Sequence, residues 1–161
     1  MGENRWRDEQ EWPLARARTP EYFLRGGGQA VQIDATALTA NAVSGPLFID
    51  ELNNLTVLGA QTSGVGAEVT INAGGDLVVQ SAVSLQQVTL TSTGGTITDD
   101  GVVNAGILAP EVFLSGRSIG SFGQPLDVTP GVLGAGASLN NVDALAHGDT
   151  LLENVVASSG A

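Results

Sequence analysis

The sequence predicts a mainly β fold, and within it an irregular right-handed parallel β-helix, or β-solenoid. Three observations predict it: an internal repeat, a period-two alternation of apolar and polar residues, and a composition with 22 glycines and abundant Val, Thr, Leu and Ile. β-Branched residues and turn-forming glycines favour strands and turns over helices. Helix is therefore expected to be a minor component.

The internal repeat consists of residues 69–79 (VTINAGGDLVV) and residues 88–99 (VTLTSTGGTITD). Each copy runs apolar-Thr-apolar, then small polar residues, then Gly-Gly, then a second β-rich run, and the second copy contains one extra residue. A unit of about 20 residues built this way cannot bury its own apolar face, so it has to stack on its neighbours. Roughly six such coils would use the chain from residue 31 onwards, above the three or so that a solenoid needs.

The alternation begins after Ala30, where Val31 and Ile33 point to one face and Gln32 and Asp34 to the other, as in a half-buried strand. Strands separated by Gly, Pro and Asn turns are predicted at residues 38–40, 47–49, 55–58, 69–71, 77–79, 88–90, 96–98, 112–114, 118–120, 125–128 and 150–156. Residues 132–137 are glycine-rich and predict no definite element, and residues 143–147 predict a helical turn. Stacking should place Val, Ile and Leu ladders inside and Thr and Asn outside.

Charge divides the chain at about residue 30. Residues 1–30 contain five acids and five arginines, whereas residues 31–161 contain the other twelve acids and one base, Arg117, which accounts for the whole formal net charge of −11. We therefore expect a short, poorly packed N-terminal segment (residues 1–30) followed by an acidic repeat domain (residues 31–161). Mutual repulsion of outward acids would keep such a rod soluble.

Composition also excludes several partners. The chain has no lysine, so it cannot build a surface that follows phosphates, and nucleic-acid binding is not expected. No apolar run is long enough to cross a bilayer, so membrane insertion is not expected either. The N-terminus is charged throughout and has no apolar core of a signal peptide.

The second part of the chain resembles the repeats of filamentous haemagglutinin-type exported proteins. The resemblance lies in the paired Gly-Gly turns, in ITDDG at residues 97–101, in GRSIG at residues 116–120 and in GQPLDV at residues 123–128. It implies a right-handed parallel β-helix from a large bacterial adhesin or surface protein. The expected function is then a structural or adhesive segment without catalysis, located extracellularly or at the cell surface as part of a larger exported protein. Its expected partner is a protein or carbohydrate surface, and open solenoid ends predict end-to-end self-association.

The first part resembles a different family. WRDE at residues 6–9, WPL at 12–14, TP at 19–20 and YFL at 22–24 are similar to a string in the cocaine esterase and X-prolyl dipeptidyl-peptidase-like acyl hydrolases. There the string joins the hydrolase domain to a C-terminal jelly roll, and Tyr-Phe-Leu is an early jelly-roll strand. The alternative is thus an antiparallel β-sandwich, a jelly-roll fragment of an acyl hydrolase that lacks its catalytic domain. From the residues alone, these aromatics would cover apolar surface, and residues 22–24 should find a strand partner.

No residue is predicted to be catalytic or to bind a cofactor or a metal. In the hydrolase family the nucleophile and its partners come upstream of the matching string, so no serine is assigned that role. The strings GGD at residues 74–76 and DDG at 99–101 lack the calcium nonapeptide and EF-hand patterns and predict ordinary turns. His147 has no Cys or second His to share a metal, and predicts a loop residue. No Lys or helix follows the Gly pairs, so they predict turns rather than phosphate loops. The sequon at Asn54 would matter only in a eukaryotic secretory pathway.

Overall fold

Every regular element of the described chain is a β-strand. The computed structural model describes residues 21–24, 30–101 and 106–158. Its strands are β1 Glu21–Leu24, β2 Val31–Ile33, β3 Ala37–Ala42, β4 Leu47–Glu51, β5 Leu55–Thr62, β6 Glu68–Ala73, β7 Leu77–Val79, β8 Ala82–Val83, β9 Gln87–Ser92, β10 Thr96–Asp99, β11 Ile107–Leu108, β12 Glu111–Gly116, β13 Ser118–Ile119, β14 Leu126–Thr129, β15 Val132–Ala137, β16 Ala144–Ala146 and β17 Leu151–Ala157. The mainly β prediction is confirmed. The helical turn predicted at residues 143–147 is wrong, because β16 pairs with β14 there.

The strands wind into a β-solenoid of about six turns. One sheet has seven strands in the order β17-β15-β12-β9-β6-β4-β2. The other has ten, and it bends into two faces because β5 pairs with β7 at its start and with β8 near its end. All pairs of strands in the described chain are parallel. The jelly-roll alternative is therefore wrong, since each strand pairs with its equivalent one coil away and forms no hairpin with the next strand.

Apolar ladders fill the interior. Equivalent positions of successive coils lie in register and are at most 3% exposed, with one row formed by Leu47, Val69, Val88, Val112 and Leu133. The facing row of the ten-stranded sheet is formed by Leu55, Leu77, Ile97 and Ile119. Because these rows run through successive coils, the stacked coils share one continuous core. Burying each of these side chains contributes about 1.5–3 kcal/mol.

The two copies of the repeat are successive coils. Val69 pairs with Val88, and Leu77 pairs with Ile97, as their sequence alignment predicts. The extra residue of the second copy lies at the corner between β9 and β10. Each coil therefore keeps its strands in register and places its irregularity at a corner.

Glycine pairs form that corner because two backbones meet there. Gly74 and Gly94 are bends without the left-handed φ that would by itself demand glycine. A Cβ at Gly94 would lie 2.5 Å from the carbonyl oxygen of Gly74 in the coil below. Glycine is therefore required by the close stacking of coils at this corner.

Part of the N-terminal segment joins the solenoid. Strand β1 pairs in parallel with β3, with Tyr22 opposite Ala40, so residues 22–24 have the strand partner that the sequence predicts. Residues 1–20 and 25–29 lie outside the described residues, and so does most of the hydrolase-like string.

Candidate functional site

The outer face of the seven-stranded sheet is lined with short polar side chains. Outward positions in β6 and β9 are occupied by Thr70, Asn72, Thr89 and Thr91, all half-buried by their neighbours along the stack. Asn72 donates a hydrogen bond from Nδ2 to Asp50 Oδ1 of the previous coil, at 2.8 Å. The predicted outward ladders of Thr and Asn are therefore present, and they offer hydroxyl and amide groups in fixed positions.

A groove interrupts this face next to Phe113. Strand β15 carries Gly134 and Gly136 at the outward positions, where they pair with Phe113 and Ser115 of β12. A side chain at Gly134 would lie 2.8 Å from Phe113 Cδ1, so the aromatic ring lies against bare backbone. The resulting cavity, here called the Phe113 groove, has a volume of about 350 Å³.

Strand β17 provides the far wall of the Phe113 groove. The pairing of β15 with β17 shifts register between Leu133 and Ala135, so Glu153 and Asn154 both lie beside Gly134. Asn154 adopts a φ of 50°, a left-handed conformation that asparagine tolerates better than most residues. This β-bulge lines the groove with an acidic and an amide residue.

The lining of the Phe113 groove is suited to binding a ligand. It combines an aromatic ring, the hydroxyl residues Thr89 and Ser115, and the polar pair on β17. Clefts with an apolar surface and a few placed polar groups are typical ligand sites.

A second cavity, of about 330 Å³, lies beside Asp127. Asp127 is 6% exposed, and its Oδ1 lies 3.3 Å from Nε2 of His147, which follows β16 in the next coil. The backbone N–H of Asp127 points to Asp99 Oδ2 at 3.4 Å. These contacts place Asp99 and His147 on either side of Asp127. The sequence predicts no contact between Asp99 and His147, and it does not mark Asp127 as a site residue.

The two strings considered for calcium form local structure. Asp76 Oδ1 accepts hydrogen bonds from Thr96 N at 2.9 Å and Thr96 Oγ1 at 3.2 Å, while Asn54 Oδ1 accepts from Asp76 N at 2.8 Å. This ladder crosses three coils and uses the side chain of the sequon asparagine. Asp99 Oδ1 accepts from Gly101 N at 2.8 Å, as in an Asp-Gly turn. Among the described residues, no three His, Cys, Asp or Glu side chains are grouped to hold a metal ion.

One serine of the chain lies in a string with the spacing of a nucleophile motif, although no serine is predicted to act as a nucleophile. Gly116-Arg117-Ser118-Ile119-Gly120 has the spacing of the G-x-S-x-G nucleophile elbow. An elbow needs a sharp turn from a strand into a helix that exposes the serine. Here Ser118 lies on strand β13, pairs with Thr96 and is 5% exposed. The string is therefore part of the solenoid wall and lacks the context of an elbow.

Comparisons with protein families, with curated proteins and with solved structures found no match. None of the described residues forms a helix suited to crossing a membrane. The class of protein is accordingly defined by the fold and its surface. The chain is a β-solenoid repeat protein with a polar outer face, and its architecture is consistent with a structural role.

Proposed function

We propose that this chain is a structural and adhesive β-solenoid segment of a bacterial surface or exported protein, which binds a partner through the Phe113 groove and performs no catalysis. The single observation that carries the proposal is the groove itself, an aromatic ring held over a glycine floor within a polar face. The proposed ligand class is carbohydrate. The apolar C–H face of a sugar ring can pack on Phe113 while its hydroxyls bond to the polar rim.

Rigidity favours this function. Strands β12 and β15, which carry the aromatic ring and the glycine floor of the Phe113 groove, pair in register, and their inward residues Leu114 and Ala135 are at most 3% exposed. A site on such a scaffold is already in its binding geometry, so little conformational entropy is lost when the ligand binds.

Two further features support a place on a surface or in an exported protein. Residues 31–161 resemble filamentous haemagglutinin-type repeats, which belong to large exported proteins. Their excess of acids opposes association with nucleic acids and with anionic membranes, and it keeps a rod-shaped protein dispersed.

Binding to a panel of immobilised oligosaccharides tests the proposal, with affinities of the best ligands then measured by calorimetry. Phe113→Ala should weaken binding by tenfold or more, equivalent to about 1.4 kcal/mol. The matched control is Phe122→Ala, because Phe122 is fully exposed and lies away from the groove between Ser121 and Gln124. A panel without any binder, or equal binding by both variants, would contradict the carbohydrate proposal. If the chain instead binds a protein, and only Phe113→Ala weakens that binding, the groove is still the binding site but its ligand is a protein.

The absence of catalysis has its own test. A nitrophenyl ester should not be hydrolysed by the chain above the background rate. Hydrolysis that a serine reagent blocks, and that Ser118→Ala abolishes, would overturn this part of the proposal and give the G-x-S-x-G string a catalytic role.

A further inference from the structure

Two corner loops of adjacent coils are longer than the equivalent loop before them. The corner between the two faces of the ten-stranded sheet consists of residues 80–81 between β7 and β8, but of residues 100–106 between β10 and β11 and of residues 120–125 between β13 and β14. Residues 102–105 lie outside the described chain. In repeat proteins, insertions on the same side of successive repeats often form the binding face. This corner is therefore a candidate for a second binding site, separate from the Phe113 groove.

The cavity of about 330 Å³ beside Asp127 is lined by residues of both long loops. Gly101 comes from the first loop and Gln124 from the second, and Gln124 Nε2 lies 3.5 Å from the position that a Cβ would take at Gly101. Asp127 of β14 and Leu145 of β16, which are paired across the sheet, also line the cavity. Cavities of this size are in the range that binds small ligands.

The carboxylate of Asp127 has one oxygen without a partner. The side chain is 8% exposed, and its Oδ1 lies 3.3 Å from Nε2 of His147. None of the described residues donates a hydrogen bond to Oδ2. Every buried side-chain oxygen and nitrogen of the described chain has a partner, so Oδ2 has to be accessible, and the cavity that Asp127 lines is the space open to it. An enclosed carboxylate with a free oxygen favours a bound donor, because an unpaired charge in a buried site is costly.

The charges that line this cavity are negative. Asp99 is also part of the lining, but its two oxygens already accept backbone hydrogen bonds, from Gly101 N at 2.8 Å and from Asp127 N at 3.4 Å. Arg117, the one Arg or Lys of the described chain, donates to the carbonyl oxygen of Gly94 at a different corner. The cavity therefore attracts a cation, and Asp127 Oδ2 is the acceptor left to bind it.

The lining favours an alkylammonium group over a metal ion or a guanidinium group. No three His, Cys, Asp or Glu side chains of the described residues are grouped to hold a metal ion. A guanidinium pairs best with both oxygens of a carboxylate, whereas an ammonium is a compact charge that the one free oxygen of Asp127 can bind. Pro125 and the half-exposed Leu145 offer an apolar surface to the methylene groups next to the ammonium.

We propose that this cavity, here called the Asp127 pocket, binds a primary alkylammonium group. Asp127 Oδ2 accepts a hydrogen bond from the ammonium, and Pro125 and Leu145 contact its alkyl chain. The same chemistry is carried by a lysine side chain of a partner protein and by a free diamine. Binding in the Asp127 pocket does not depend on the ligand of the Phe113 groove.

Titration of the full chain with Nα-acetyl-lysine amide and with cadaverine, followed by NMR, tests the proposal and separates the two sources. Both compounds should shift the signals of Gly123 and Leu145, and Nα-acetyl-arginine amide should bind more weakly than the lysine amide. Tighter binding of the lysine amide supports a lysine of a partner protein as the ligand, and tighter binding of cadaverine supports a free diamine. No shift with either compound, or equal binding of the lysine and arginine amides, would overturn the proposal.

Substitutions then locate the binding. Asp127→Asn should weaken binding of the lysine amide by roughly tenfold or more, because a hydrogen bond to a charged group is lost. The matched control is Asp34→Asn, which removes the same charge from an exposed position directly after β2 and should leave the affinity unchanged. Leu145→Ala, at a 45% exposed position that tolerates a smaller side chain, should weaken binding roughly threefold. Unchanged affinity in Asp127→Asn or in Leu145→Ala, or an equal loss in Asp34→Asn, would show that the compounds do not bind in the Asp127 pocket.

Discussion

Substitution of Gly94 tests whether the corner glycines are fixed by the stacking of coils. In Gly94→Ala the new methyl group would lie 2.5 Å from the carbonyl oxygen of Gly74, well inside van der Waals contact. The obstacle is backbone, so one coil has to move by roughly an ångström. Overpacking of this kind costs about 1–3 kcal/mol. We expect the free energy of unfolding to fall by that amount, measured by urea denaturation followed by circular dichroism.

Gly136→Ala is the matched control, with an effect of opposite sign. No atom lies within 4 Å of the Cβ position at Gly136, and its φ is one that alanine adopts freely. Removing backbone freedom from the unfolded chain should therefore raise stability by about 0.4–1 kcal/mol. If Gly94→Ala unfolds at the same urea concentration as the unmodified chain, or at a higher one, the stacking explanation of the corner is wrong.

Substitutions at three buried residues test the interior, and each is measured by urea denaturation. Ile97→Ala should lower the free energy of unfolding by about 2–5 kcal/mol, because Ile97 is fully buried. Leu52→Ala, at an 86% exposed corner, should change it by no more than about 0.5 kcal/mol. Equal effects of the two substitutions would show that the apolar ladder does not stabilise the fold. Glu51 is 4% exposed, and its carboxylate accepts hydrogen bonds from two backbone N–H groups, at 2.8 and 3.0 Å. Glu51→Ala should therefore lower the free energy of unfolding by about 1–3 kcal/mol for each donor left unpaired, and Glu51→Gln should lower it less. Ser84→Ala should cost about 1–3 kcal/mol, because this 4% exposed hydroxyl bonds to three backbone groups at one corner, and an unchanged midpoint would show that water replaces it.

The sequence predicts the fold well where each coil repeats the same chemistry. The pairs Val69 with Val88 and Leu77 with Ile97 follow directly from aligning the two copies, since stacking places like residues above one another. Alternation alone also places β2, β4 and β12 close to their observed bounds. Local pattern and long-range pairing give the same answer in these coils.

The sequence predicts secondary structure and burial less well where they depend on contacts with a neighbouring coil. Residues 132–137 form a regular strand although their glycines give a weak local signal, because β12 and β17 pair with them on both sides. The burial of Glu51 and Asp127 also depends on partners far away in sequence. In the sequence, the only indication of a groove is that Gly134 and Gly136 alternate with apolar residues, which leaves two outward positions without a side chain. Its position beside Phe113 required the register of the coils.

The parallel stacking of coils also determines how this rod would respond to mechanical force. Its inter-strand hydrogen bonds run along the solenoid axis, from β6 to β9 to β12 and onwards. Tension applied between the two ends of the described chain therefore acts along these bonds and loads the terminal coil first. Because each coil contacts mainly its neighbours, coils should detach one after another at modest force instead of all together. A surface protein built this way would yield gradually under flow, lengthening by one coil at a time while the remaining coils stay folded.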